Sequence, residues 1–244
     1  MSVIRVAGLS KRYGDRTAVS DLHFEVAAGE ILGLVGPNGA GKTTTLRSLA
    51  GILVPSAGEI RIDGHEMAGD PLAAKRRLAL VPDAPSHFQS LTVWEHLELV
   101  AQLYDVRGFE GAAASLLDEF ELSERRDSFA SELSRGMRQK LAVAGALLHD
   151  PAALLLDEPL AGLDPRGIRS LYATLERRAQ AGAAIILSSH LLGQIESLCT
   201  SFLILHEGRC LFNGSKGEIA AQLPALRGDA TLEEIFFAAT SDLA

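Results

Sequence analysis

The chain has 244 residues, 47% of them hydrophobic and 22% charged, and a formal net charge of -8. That composition excludes a disordered chain, and an acidic balance without a block of Lys and Arg argues against a nucleic-acid partner. Two cysteines, Cys199 and Cys210, are too few for a disulfide framework and read as reduced core thiols, while the absence of a secretion-like leader and of any uncharged apolar run long enough to span a bilayer leads us to expect a cytoplasmic chain.

In chain order, residues 3–9 and 17–26 read as strands split by a polar, Gly-containing turn at 11–15. Residues 30–35, EILGLV, form an apolar run of strand length. The run GPNGAGKTTTLRSLAGIL follows at once, and its Leu46, Leu49, Ala50 and Leu53 are spaced for one face of a helix. Strands are expected at 58–62 and 78–81. From 92 to 149 the period turns helical, which reads as a helical insertion within an α/β domain. Strands return at 152–156 and 183–188, with helices at 166–180 and 191–197. Residues 202–205 and 209–212 look like a hairpin, and 216–223 and 232–239 like short helices.

Two motifs carry chemistry. Gly36, Pro37, Asn38, Gly39, Ala40, Gly41, Lys42 and Thr43 fit GxxxxGK[ST] in full, between an apolar strand and an amphipathic helix. Glycines let the backbone wrap closely, so several N–H groups converge on phosphates; the free amides and positive end of the helix add to them. Lys42 is expected at the β- and γ-phosphates, and Thr43 on Mg²⁺. Far along the chain, Asp157 and Glu158 end the buried run LLLDEP. Because neighbouring strand residues face opposite ways, the two carboxylates are expected to split their roles: Asp157 for Mg²⁺ and Glu158 for the attacking water.

Between these motifs stands Leu133-Ser-Arg-Gly-Met-Arg-Gln-Lys140, which follows LSxGxxQ just before a helix. With the other two motifs it resembles the signature of ABC transporter ATP-binding domains, and the resemblance covers nearly the whole chain. It implies an α/β fold of the P-loop NTPase, ABC ATPase type: a mostly parallel core sheet, an N-terminal antiparallel β-subdomain and a helical subdomain inserted at about 85–149. The ATPase domain would span 1–214, with a short helical tail at 215–244. Ser134 is a good helix N-cap and Gly136 permits close approach of backbone. By resemblance, these two complete the ATP site of the opposite subunit in a head-to-tail dimer of two copies or of two paralogues.

The same resemblance implies that Tyr13 stacks on adenine and that Thr44 belongs to the phosphate site. Asp164 would act across the dimer, and His190 would sense the γ-phosphate and orient Glu158. It implies ATP hydrolysis with Mg²⁺, driving separate integral membrane subunits from the cytoplasmic face. The tail, Thr231-Leu-Glu-Glu-Ile-Phe236, resembles the export-type, ABC-2 group. The groove of the helical subdomain would receive a membrane subunit, with Trp94 either beside it or in the core. His23, His65, His87 and His149 form no metal pattern and read as surface or turn residues. Two positions depart from the family: Arg135 replaces a glycine of the signature, and Asp83 stands where a glutamine is usual, still within reach of the metal through water. The competing readings are a soluble ABC ATPase of DNA repair or translation, and a weakly hydrolysing interaction module.

Overall fold

The structure, a computed structural model, describes residues 1–223 and 230–241, so the parts of the expected tail at 224–229 and 242–244 lie outside the described residues. Its centre is a six-stranded sheet in the order β10-β9-β3-β8-β7-β6. The strands are β3 (Ile31–Val35), β6 (Leu78–Val81), β7 (Ala153–Asp157), β8 (Ala184–Ser189), β9 (Ser201–His206) and β10 (Arg209–Gly214). All neighbours run parallel except β9 and β10, the expected hairpin.

β3 and β7 are buried at every residue, and the pleat sorts them onto two faces. Ile31 and Val35 of β3, with Leu154 and Leu156 of β7, pack into one apolar cluster. Leu32 and Leu34, with Ala153 and Leu155, pack into the other. A strand covered on both faces must be apolar throughout, which is why these runs do not alternate.

The second face is closed by a four-stranded antiparallel sheet in the order β2-β1-β4-β5, formed by β1 (Ser2–Tyr13), β2 (Arg16–Ala27), β4 (Ala57–Ile62) and β5 (His65–Glu66). The β1–β2 hairpin is longer than expected. Lys11, Arg12 and Tyr13 pair with Val19, Thr17 and Arg16, so the turn shrinks to Gly14 and Asp15. A ladder bonds through the backbone, so polar side chains on a solvent face do not end it. Helix α1 (Lys42–Leu49) follows β3. Helix α2 (Pro71–Arg76), capped by Asp70, escaped the periodicity reading because only Ala74 of it is buried.

The first face carries α3 (Val93–Leu103), α4 (Phe109–Glu119), α5 (Arg135–Leu148) and α6 (Pro165–Gln180), with two short 3₁₀ turns between α4 and α5. Trp94 packs partly buried against the apolar cluster of this face, its ring tilted against Phe109 at 5.6 Å and the Arg126 guanidinium 3.6 Å from its ring centre. Helix α7 (Leu192–Ile195) is shorter than the expected 191–197. Helices α8 (Lys216–Ala221) and α9 (Leu232–Ser241) bury Ile219, Leu232 and Ile235 in the same cluster as β7 and β8. Glu196 accepts from Lys216 Nζ at 2.7 Å and from the Leu232 N–H at 3.1 Å, tying both helix starts to the core. The TLEE run is a capping box: Thr231 Oγ1 accepts from the Glu234 N–H at 3.2 Å, and Glu234 Oε2 accepts from the Thr231 N–H at 2.7 Å. Both cysteines are free, and burial pushes the Cys199 thiol up to about 12.

Candidate functional site

Sheet register brings the motif residues together. β8 lies between β3 and β7, and Ser188 pairs with Leu34 on one side and Asp157 on the other. The carboxyl ends of β3, β7 and β8 are therefore level. The loops that leave them carry residues 36–41, Glu158 and His190, and the loop after β6 adds Asp83. Open α/β sheets bind their ligands at this edge.

A cavity of about 430 Å³ opens there, lined by Asn38, Gly39, Gly41, Lys42, Thr43 and Thr44 of the loop and α1, together with Asp157, Glu158, Asp83 and Tyr13. Gly36, Pro37 and Ala40 shape the loop without lining the cavity. Gly41 has φ 105°, and a Cβ on it would come within 2.7 Å of the Ala18 carbonyl, so the turn into α1 admits only glycine. Helix α1 starts with no side-chain cap and no acidic residue in its first turn. Its leading N–H groups therefore meet no competing carboxylate from that turn.

Lys42 is 7% exposed and donates to the carbonyls of Gly36 at 2.6 Å and Pro37 at 3.2 Å. Burial lowers its pKa, partly offset by the nearby Glu158 and Asp157 carboxylates. Asp157 is also buried. Its Oδ1 accepts from Ser188 Oγ at 2.6 Å, and it has no ion pair among the described residues.

Glu158 corrects the expectation that the pleat alone separates the two carboxylates. The strand ends at Asp157, and Glu158 sits in the left-handed region at φ 49°. Such a conformation costs a non-glycine residue on the order of 1–2 kcal/mol. The Glu158 N–H donates to both Ser188 O at 3.2 Å and Ser188 Oγ at 3.0 Å, which holds it there. Glu158 Oε2 then lies 2.9 Å from His190 Nδ1. Ser188 thus holds the Asp157 carboxylate and the Glu158 backbone, and sequence reasoning missed it; the only signal was a pair of serines ending an apolar strand. Arg16, which also lines the cavity, was missed as well.

Tyr13 is half exposed, and Lys11 Nζ stands 5.1 Å from its ring centre. Ser134 and Asp164 do not line the cavity. Each caps a helix of its own chain: Ser134 Oγ accepts from the Met137 N–H at 3.3 Å, and Asp164 Oδ1 from the Gly167 N–H at 2.8 Å. Asp164-Pro165 is a cap followed by an N1 proline, a signal overlooked in placing the helix at 166. Gly136 abuts the loop after β7, for a Cβ on it would lie 2.6 Å from the Gly162 carbonyl. In this chain, then, its close approach is to backbone of its own subunit.

Two of the histidines read as surface or turn residues are partly buried. His149 stacks on Tyr104 at 3.7 Å and approaches the Leu78 carbonyl at 3.3 Å. His87 lies 2.8 Å from the Arg138 carbonyl, and its pKa falls to about 4 through burial, with His96 and Arg138 adding to the shift. Both line a groove of about 300 Å³ between β6, α3 and α5. Among the described residues, no helix is long and apolar enough to cross a membrane.

Residues 19–161 match the sequence profile of the family described as ABC transporter. The chain is 34% identical over 244 residues to the ABC-type transporter ATP-binding protein EcsA of Bacillus subtilis, covering 99% of this chain and 98% of that protein. It is 35% identical over 219 residues to Nod factor export ATP-binding protein I of Ralstonia nicotianae, covering 89% of this chain and 68% of that one. A solved ATP-binding subunit of an ABC transporter superposes with a TM-score of 0.94 at 36% identity, over 98% of this chain and 100% of that one.

Proposed function

The chain belongs to the ABC transporter family as an ATP-binding subunit that hydrolyses ATP in transport, and from that premise we propose which of its residues do the work. The loop at 36–41, Lys42 and Thr44 hold the phosphates, and Tyr13 stacks on adenine. Glu158, steadied by His190, orients a water for in-line attack on the γ-phosphorus and takes its proton as the bond to ADP breaks. Lys42 and the loop amides offset the charge on the transferred phosphoryl group. The observation that carries this reading is the convergence of Lys42, Asp157 and Glu158 on one cavity, with His190 on Glu158 at 2.9 Å.

Mg²⁺ fits the oxygen donors of Thr43 and Asp157. Asp157 is a buried carboxylate with a single hydroxyl donor and no ion pair among the described residues, a setting that suits a hard cation. When bound, the ion would neutralise phosphate charge. Asp83 is less suited to this role, since its carboxylate already faces Arg135.

Ser134, Gly136 and Asp164 lie outside this cavity, which supports their use on the site of a second subunit, a copy or a paralogue, arranged head to tail. The groove beside His87 and Tyr104, with Phe88 and Leu103 exposed at its edge, would receive a short helix of a membrane subunit. The chain would then sit on the cytoplasmic face of the membrane. The Nod factor relative is named for export, which supports an outward direction here. A soluble role in DNA repair or translation is not favoured by relatives named as transporter subunits.

The test is twofold. The purified chain should release phosphate from ATP, and it should co-purify with integral membrane proteins from detergent extracts. Hydrolysis without any membrane partner would overturn the transporter arrangement.

A further inference from the structure

The two positions that depart from the family pattern meet in space. Arg135 Nη2 lies 3.7 Å from Asp83 Oδ1. We infer that Arg135 is a positioning residue that neutralises Asp83 at the wall of the nucleotide cavity from within the same chain, so that the phosphates of ATP can enter. The inference rests on the ATP site proposed above.

Charge balance is the first argument. The residues lining the cavity include three carboxylates, Asp83, Asp157 and Glu158, against the cations Arg16 and Lys42. A polyanionic substrate entering such a site is repelled by any carboxylate without a partner. Asp157 and Glu158 both act on the nearby Lys42 cation, and Asp157 would also face the metal ion when bound. For Asp83 the facing group is Arg135.

Local helix chemistry is the second. Arg135 is the first residue of α5, directly after the Ser134 cap. A cation in the first turn opposes the helix dipole, so α5 gains nothing from it there. Its stem instead lies along Gly162, which has φ 80°. A Cβ on that glycine would stand 3.2 Å from Arg135 Cδ and 3.3 Å from Cγ. Gly162, having no side chain, thereby leaves room for the stem whose guanidinium faces Asp83. Both side chains remain more than half exposed, at 66% and 55%. Pairs of that kind contribute little to stability, so the value of this one lies in the charge it cancels.

The experiment is an equilibrium titration of the full-length chain with a fluorescent ATP analogue, alongside urea unfolding of each variant. Arg135→Gln is expected to weaken binding about five- to tenfold, the upper figure corresponding to about 1.4 kcal/mol. Arg135→Lys, which keeps the charge, is expected to retain affinity. Asp83→Asn is expected to tighten binding. In the Asp83→Asn background, adding Arg135→Gln should cost less than half of its effect in wild type. Unfolding midpoints should agree across the set. An equal loss in both backgrounds would mean that Arg135 acts on nucleotide directly, from its own chain or from a partner's, and would overturn the inference. So would an unchanged affinity in Arg135→Gln, or a loss that follows the unfolding midpoint. A wild-type chain that fails to bind the analogue would instead refute the ATP site itself.

Discussion

Lys42 and Asp157 are buried, and Ser188 is fully so; each makes short hydrogen bonds inside its own chain. Ser134, Arg135 and Asp164 are exposed, and the side chains of Ser134 and Asp164 do no more here than cap α5 and α6. The first is a built site; the second, under the function proposed above, would be completed by another subunit. Groups that must hold charge in place are fixed by the register of β3, β8 and β7. Groups that would meet another subunit lie where that subunit can reach them. Capping also fixes the starts of α5 and α6 before any partner arrives.

The largest effect should come from the buried side. Glu158→Gln keeps the shape of the side chain and removes the base, so turnover should fall by about 10²–10⁴-fold while nucleotide binding persists. Retained turnover in a phosphate-release assay would remove Glu158 from its role and the contrast with it. Lys42→Ala should damage binding and turnover together. Losing one member of a buried charged contact costs about 2–5 kcal/mol, and the fluorescent titration that reads it should show an affinity weaker by about thirtyfold or more.

The exposed side is tested by mixing. A Ser134→Arg chain and a Lys42→Ala chain are each expected to be inactive alone. Together they should regain phosphate release, because a mixed dimer then has one site free of both changes. If cross-linking shows mixed dimers and activity stays absent, the head-to-tail assignment fails.

A smaller effect is expected at Ser188, which joins Asp157 to the Glu158 backbone. Ser188→Ala leaves a buried carboxylate without its donor, and urea unfolding should show a loss of about 1–3 kcal/mol. An unmoved midpoint would mean that the buried wall is less tightly built than its geometry implies.

The smallest effect involves the groove. His87 has a folded-state pKa of about 4, below the usual 6.5. Between those values the unfolded chain binds more protons, so stability is complete above pH 6.5 and declines as pH falls toward 4. Because the ring is only partly buried, solvent screening leaves a stability change of about 1 kcal/mol or less across this span. His87→Gln should flatten this slope in urea midpoints measured from pH 7 to 4.5.

Much of this was readable from residue order. The phosphate loop, the DE pair, the signature and the histidine after β8 are contiguous patterns whose chemistry depends on neighbours in the chain. The both-face burial of β3 and β7 was legible too, because a continuous apolar run of strand length has few other uses. Helix α2 and strand β5 were not, since elements that bury almost nothing leave no period to read.

Long-range contacts set the rest. No local pattern marks Ser188 as the bridge between Asp157 and Glu158, because that bridge exists only once β8 has inserted beside β7. No local pattern turns Glu158 into a left-handed conformation; hydrogen bonds from another strand hold it there. Asp83 and Arg135 looked like two separate departures from a motif, 52 positions apart in the chain. Their pairing depends on the loop after β6 and the start of α5 converging at the carboxyl edge of the sheet. Residue order specifies which groups are present and how each biases its own few neighbours. Which distant charges face one another follows from strand order and register, which are set by the burial of two apolar faces at once.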